Sequence, residues 1–267
     1  MQSEPVITLT TDFGLHDPFV GVMKGVILTI TPRATIIDLT HGIAPHDIRE
    51  AAFTIGMNYT YFPERTIHVV VVDPGVGSKR RPILVVTDRH FFIGPDNGVF
   101  SFIYEKEKAS LQVIHITADR HFLKAKSSTF QGRDVFAPVA AQLAGGRDFR
   151  DFGDRMSDFK TLELPMPNLE KNLLNGEIIH IDTFGNAMAN ISQTEIDDLA
   201  SQDPQGAMKI YLSGKEVPLK EYYGQATDKM LYAVINSSGY VEFFVNCGNA
   251  SEICKISTGD AVEVKVM

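Results

Sequence analysis

Carboxylates and imidazoles recur in this chain just after apolar runs. Residues 6–11 (VITLTT) lead into Asp12, with His16 and Asp17 close behind; 35–38 (TIID) lead to His41 and then His46 and Asp47; 67–72 (IHVVVV) lead into Asp73. If these runs are parallel strands, the polar residues share the carboxyl edge of a sheet, where open α/β sheets bind ligands. Taken singly, Asp12 and Asp47 could equally cap helices and His46 could be a surface residue. Residues 73–81 (DPGVGSKRR) say more, because a buried strand ends in an acid, a glycine-containing loop permits close backbone approach, and Arg80 can return to the acid. An ion pair that merely closes the loop is the plainer alternative. The segment lacks the Gly-Lys-Ser/Thr order of a phosphate-binding loop, and no Gly-x-Gly-x-x-Gly opens the first helix. A second polar loop, 127–134 (SSTFQGRD), leads into a helix whose N-terminus could face a ligand, with Gly132 allowing close approach. Arg133 and Asp134 read equally well as a structural pair.

These residues need elements to hold them. Apolar positions at helical spacing over 19–31 and 47–58 alternate with the three strands, which is the grammar of a mostly parallel sheet. Two further runs, 83–87 and 91–93, precede a turn at 95–98 (PDNG), and 132–144 reads as a helix with an alanine-rich face. After Asp158 the texture changes. Short β-like runs at 176–182, 209–213, 230–236, 240–245 and 261–266 are separated by Gly, Asn and Ser turns, with one helix over 193–200. The predicted fold class is α/β: an N-terminal mostly parallel α/β sandwich domain (1–163), a proline-bearing linker (164–175) and a small C-terminal β-barrel domain (176–267). In the second domain, 182–186 (DTFGN), 236–240 (NSSGY) and 246–250 (NCGNA) are amide-rich loops. Asparagine can meet the edge of adenine with a donor and an acceptor, though it also populates turns for local reasons.

Composition bounds the function classes. The 267 residues are 44% apolar and 22% charged, an ordinary globular balance. Lys and Arg number 25 against 33 Asp and Glu, so the formal charge of -8 has the wrong sign for coating nucleic acid or anionic membrane. Two cysteines support neither a disulfide framework nor a Cys-rich zinc site. No apolar stretch approaches the roughly 18 residues of a membrane span, and the N-terminus lacks a signal peptide's basic start and apolar run. A cytoplasmic protein with a small ligand or protein partner is expected.

Read in order, residues 10–14 (TTDFG), 38–48 (DLTHGIAPHDI), 71–81 (VVDPGVGSKRR), 94–98 (GPDNG), 129–138 (TFQGRDVFAP), 181–186 (IDTFGN), 236–240 (NSSGY) and 245–251 (VNCGNAS) resemble the S-adenosyl-L-methionine hydrolase family. Its members are also called S-adenosyl-L-methionine hydroxide adenosyltransferases and are related to fluorinating and chlorinating enzymes. The resemblance implies a homotrimer with each ligand between the N-terminal domain of one subunit and the C-terminal domain of its neighbour. It also implies attack of water on C5′ of the ribose, giving adenosine and L-methionine with no cofactor and no metal. By motif position, Asp12 would hold the ribose hydroxyls, and Asp17, Pro18 and Phe19 would line the nucleoside pocket. Gly132 would let substrate approach the backbone. Asn186 and the backbone of Val245, Asn246 and Cys247 would read adenine, while Asp182, Ser237 and Ser238 would hold the methionine end. Asp73 and Arg80 match two members of the water-activating set. The third is His in the family and Gln131 here, a residue that can hydrogen-bond but cannot shuttle a proton near neutral pH. Cys247 replaces the family's Arg and reads as an inert, partly buried thiol.

Two other readings stay open at the level of sequence. Asp12, His16, Asp17, His41, His46, Asp47 and Asp73 could form a metal centre for phosphoester hydrolysis. Alternatively, Gln131 could mark a non-catalytic protein that binds adenosine or S-adenosyl-L-methionine.

Overall fold

The computed structural model describes residues 4–124, 127–202 and 206–266, which fall into two compact units, Met1–Glu163 and Leu164–Met267. The first unit alternates β1 (Val6–Thr11), α1 (Phe19–Ile30), β2 (Thr35–Thr40), α2 (Ile48–Asn58) and β3 (Ile67–Val71). It continues with β4 (Pro82–Val86), β5 (Phe91–Pro95), α3 (Ser101–Lys106), β6 (Gln112–Ile116), α4 (Ala137–Ala144) and β7 (Gly153–Met156). One seven-stranded sheet results, ordered β2-β1-β3-β5-β4-β6-β7. β1, β2, β3 and β5 pair in parallel; the pairings reverse at β4, at β6 and at β7, so five of the seven strands run one way.

The residue alternation explains the layers. Ile67, Val69 and Val71 of β3 enter the core built with α1 and α4, while Val70 and Val72 enter the core built with α2 and α3. Leu84 and Val86 of β4 take the first side and Ile83 and Val85 the second. A strand covered on both faces must be apolar throughout, and each such side chain contributes about 1.5–3 kcal/mol by leaving water. The parallel pairing of β1, β2 and β3 brings their carboxyl ends, with Asp12, His41 and Asp73, to one edge.

The helix expected over 132–144 begins differently. Gly132–Phe136 forms a π-helical turn, and only Ala137–Ala144 is α-helical. The wider turn keeps Gly132 in the wall of a cavity while Val135 and Phe136 enter the core.

The second unit contains β8 (Asn168–Glu170), β9 (Leu173–Ile181), β10 (Ala187–Ser192), α5 (Gln193–Gln202), β11 (Met208–Leu212), β12 (Lys215–Val217), β13 (Leu219–Lys220), β14 (Leu231–Ile235), β15 (Tyr240–Val245), α6 (Ala250–Cys254) and β16 (Ala261–Val266). Its nine-stranded sheet runs β12-β11-β16-β9-β10-β15-β14-β13, with β8 added on β9. β12 and β13 are the two ends of that path yet are separated in sequence by Pro218 alone. The ends of the sheet therefore meet, curling it nearly into a barrel around Ile178, Ala189, Phe243 and Val264. Part of the stretch read from the sequence as a linker is ordered: Asn168, Leu169 and Glu170 pair with Asn175, Leu174 and Leu173 across a tight turn at Lys171, whose φ is 54°. No helix among the described residues is long and apolar enough to cross a membrane.

Candidate functional site

Each unit carries its own concavity, and in each case strand ends deliver the polar residues. In the first unit a cavity of about 520 Å³ opens at the carboxyl edge of the sheet, lined by Asp12, Asp17, Phe19, Asp73, Gln131 and Gly132 among others. Successive turns after β3 explain how an acid and a base seven residues apart meet. Val76 N–H donates to the Asp73 carbonyl (3.2 Å), Ser78 N–H to the Gly75 carbonyl (3.1 Å), and Arg80 N–H to Ser78 Oγ (3.1 Å). The chain thus folds back, and Arg80 engages the Asp73 carboxylate through Nε on Oδ1 (3.0 Å) and Nη2 on Oδ2. Arg80 Nη2 also donates to Gln131 Oε1 (2.7 Å), so Asp73, Arg80 and Gln131 form one chain. The Asp73 and Arg80 side chains are only 5% and 4% exposed. Burial pushes the Asp73 carboxyl up from its ordinary value, against the opposite pull of the Arg80 guanidinium. Arg80 Nη1 has no protein partner among the described residues, and its guanidinium lies 5.5 Å from the Phe136 ring centroid.

Asp12 follows β1, and its Oδ2 accepts the backbone N–H of His46 (2.9 Å). His46 adopts the left-handed region at φ 68°, unusual for a residue with a Cβ, and so turns its N–H onto the acid. Asp47 behaves as the plainer reading had it, accepting Glu50 N–H at the N-cap of α2 (2.9 Å). Arg133 and Asp134 are likewise a structural pair, bidentate at 2.6 and 2.9 Å. Asp17 is exposed at the mouth, and Pro18 is the N-cap residue of α1 rather than part of the lining. Sequence reasoning named Phe19 but missed the rest of the apolar wall: Phe13, Phe19 and Phe130 meet one another with centroids 5.3 to 5.9 Å apart. Phe13 and Phe130 sit inside the motifs that supplied Asp12 and Gln131, but aromatic residues beside strands read as core.

In the second unit a cavity of about 600 Å³ is lined by Asp182, Phe184, Asn186, Tyr223 and Phe244, and by the loop from Val245 to Gly248. The turn between β9 and β10 is tied by Asp182, whose Oδ1 accepts Phe184 N–H (2.9 Å) and Asn186 N–H (2.8 Å). Gly185, at φ 82°, is obligatory there, because a Cβ would fall 2.0 Å from Asn249 Oδ1, the oxygen that caps α6. Asn246 Nδ2 donates to the Ala226 carbonyl (2.6 Å), and Lys229 Nζ donates to the carbonyls of Asn246 (2.7 Å) and Cys247 (3.0 Å). Cys247 is exposed, which corrects its reading as a partly buried thiol, and its backbone adopts the left-handed region at φ 49°. Ser237 and Ser238 stand apart, exposed on the hairpin turn at one end of β15, while Val245 to Cys247 follow the other end. Tyr223 and Phe184 were not anticipated, although an aromatic inside the polar DTFGN turn was a usable signal.

The metal reading finds no support in this arrangement. Asp73 belongs to Arg80, Asp47 caps a helix, and His41 meets Asp38 at 3.0 Å. Among the described residues, no three His, Cys, Asp or Glu side chains are grouped so as to hold a metal ion.

Comparison with known proteins agrees across the chain. Residues 7–153 match the family model for the SAM hydroxide adenosyltransferase N-terminal domain, and 176–263 the model for its C-terminal domain. The chain is 33% identical over 270 residues to an (R)-S-adenosyl-L-methionine hydrolase of Salinispora tropica, covering 99% of each protein. It is 33% identical to another so named from Methanocaldococcus jannaschii, covering 97% of this chain and 95% of that protein. A crystal structure of an uncharacterized conserved protein from Thermotoga maritima superposes with a TM-score of 0.88 at 35% identity, covering 97% of this chain and 99% of that one.

Proposed function

The chain belongs to the SAM hydroxide adenosyltransferase family, and from that membership we propose that it hydrolyses S-adenosyl-L-methionine to adenosine and L-methionine. Water attacks C5′ of the ribose in line with the C5′–S bond; the C–O bond forms as C–S breaks, and the sulfonium leaves as neutral thioether. No general acid and no cofactor are required, but one proton of the water must be released. The observation that carries the reading is the buried chain of Asp73, Arg80 and Gln131 beside the first cavity. In this reading Asp73 accepts a hydrogen bond from the water and then its proton, Arg80 fixes the carboxylate, and Gln131 orients the water. Their rate contribution is chiefly positioning. Asp12 holds the ribose hydroxyls, supported by its carboxylate being anchored at Oδ2 alone among the described residues. Asp17, Phe19 and Gly132 line the nucleoside, with Pro18 starting the helix beneath them. Asn186 and the backbone from Val245 to Cys247 take adenine, and Asp182, Ser237 and Ser238 the methionine end.

The proposal extends to a cytoplasmic homotrimer in which the first cavity of one subunit and the second cavity of its neighbour make one site. Its support is that each unit gathers several of the expected binding residues around a separate opening. Chromatography of protein incubated with the sulfonium substrate tests the activity. Adenosine and methionine should appear in equal amounts, and Asp73→Asn should lower the rate by about two orders of magnitude, as for loss of a proton acceptor. Asparagine keeps an acceptor for Arg80, so the variant should fold. Wild-type protein giving no more adenosine than this variant would refute the reading.

A further inference from the structure

His41 and Asp38 belong to the motif after β2 but have no part in the chemistry above, and their geometry gives them one. His41 Nε2 lies 3.0 Å from Asp38 Oδ1, and its Nδ1 lies 2.9 Å from Thr11 Oγ1. The His41 side chain is 3% exposed and Thr11 is fully buried. Lys24 Nζ donates to Asp38 Oδ2 at 2.6 Å. Partial burial pushes the Asp38 carboxyl up, but the hydrogen bond from Lys24 and the neighbouring His41 bring it below its ordinary value, so it is a carboxylate. The approach of His41 Nε2 to it is a close charge contact and not an aligned hydrogen bond. In the tautomer that places the proton on Nε2, facing the carboxylate, Nδ1 accepts the Thr11 hydroxyl proton, and the Thr11 oxygen remains free to accept. The Phe13 N–H donates to that oxygen at 3.2 Å, and Gly14 N–H donates to the His41 carbonyl at 2.9 Å.

This chain of contacts ends on the two residues that follow Asp12. We infer that Asp38, His41 and Thr11 form a positioning relay that holds the loop carrying Asp12, and thereby sets the affinity of the site for a ribose. None of the three lines the cavity, and the Thr11 hydroxyl, turned into the protein, is no nucleophile. The inference rests on the proposed role of Asp12, with the relay as a distinct layer beneath it.

Calorimetric titration with adenosine and with 2′,3′-dideoxyadenosine separates the two layers. Wild-type protein should prefer adenosine. Thr11→Val, which is isosteric but has no hydroxyl, should weaken adenosine about tenfold, the scale of one to two lost hydrogen bonds, and leave dideoxyadenosine within about twofold. Thr11→Ser should restore the preference. Asp38→Asn, at the surface, should give an intermediate loss and covers the case in which Thr11→Val does not fold. With S-adenosyl-L-methionine the same variants should raise KM and leave kcat within about threefold, since Asp73 stands on a different strand end. A wild-type protein blind to the ribose hydroxyls overturns the role of Asp12. Undiminished preference in Thr11→Val, or in Asp38→Asn if the former is unfolded, overturns the relay.

Discussion

Arg80 carries only donors, so the atom of Gln131 that meets it at 2.7 Å must be the amide oxygen, and the amide NH2 is left for the cavity that this residue lines. Gln131 can thus donate to the oxygen of an attacking water but cannot relieve it of a proton, which leaves that task to Asp73. Gln131→Leu should lower kcat about tenfold with KM nearly unchanged, roughly the loss of one neutral hydrogen bond; steady-state kinetics would show it. Because burial raises the Asp73 carboxyl above its ordinary value, kcat/KM should fall with acid at a pH above the usual carboxylate range. The working form is the ionised one, so activity is lost as pH falls through the raised value, and a pH profile would locate that limb. The same shift disfavours the folded state as pH rises across the interval from the ordinary to the raised value, since the folded chain binds the proton more tightly. Asp12 and Asp73 are conspicuous as acids directly after apolar strands, Arg80 as a base in the loop that returns to Asp73, and Gln131 only by its place in the family motif. Phe13 and Phe130 were not, since a phenylalanine that walls a cavity has the same sequence signature as one in a core.

The elements were legible in proportion to how far local pattern alone decides them. β3 announced itself by a run that is apolar but for His68, whereas β10 (AMANIS) carries Asn190 in a buried position and small residues of weak strand preference. Asn190 is tolerated because Oδ1 accepts Glu177 N–H and Nδ2 donates to the Pro165 carbonyl, partners that sequence cannot display. The π-helical turn at Gly132 was hidden for a similar reason: its residues suit an α-helix, and tertiary packing selects the wider turn. Gly185→Ala should destabilise the protein by more than about 1 kcal/mol and weaken ligand binding, because it opposes both the positive φ and the cap of α6; thermal denaturation and calorimetry would measure the two. Strand β3 also buries His68, bonded to Thr8 Oγ1 at 2.8 Å and stacked on Phe92. Burial pushes this imidazole down to about 3 from 6.5. The unfolded chain takes up that proton first, so the contribution is complete above pH 6.5 and erodes toward pH 3, by up to about 1.4 kcal/mol per pH unit. His68→Gln should flatten the fall of Tm between pH 6.5 and 4.5, and an unaltered slope would exclude His68 as its source.

At the scale of the whole molecule, each unit presents its own opening, and the proposed function asks both to serve one site. If each site draws its first unit from one subunit and its second from a neighbour, two inactive variants can complement. Asp73→Asn damages only the first unit and Asn186→Ala only the second, so equal amounts unfolded and reassembled together should recover about a quarter of wild-type activity, the chance that both intact halves meet in one site. Sedimentation should show a trimer, and a mixture as inactive as its parents would argue for sites built within a single chain. The division into an α/β part and a β part was readable from the change of texture after Asp158. The closing of the second sheet was not, because it depends on Pro218 joining the two ends of a strand order that only the pairings reveal.

The first sheet ends at β2, and Asp38 sits on that rim beside Ile37, which is 37% exposed. A charge on an edge strand discourages a passing chain from adding itself to the sheet. The carboxylate that orients His41 is therefore also a guard against aggregation, and two unrelated requirements fall on one side chain. In a mutational tolerance scan, apolar replacements at position 38 should be depleted twice over, once for weakened ribose binding and once for lost solubility, while Glu, which keeps the charge but sets the carboxylate one methylene further out, should fail only the first.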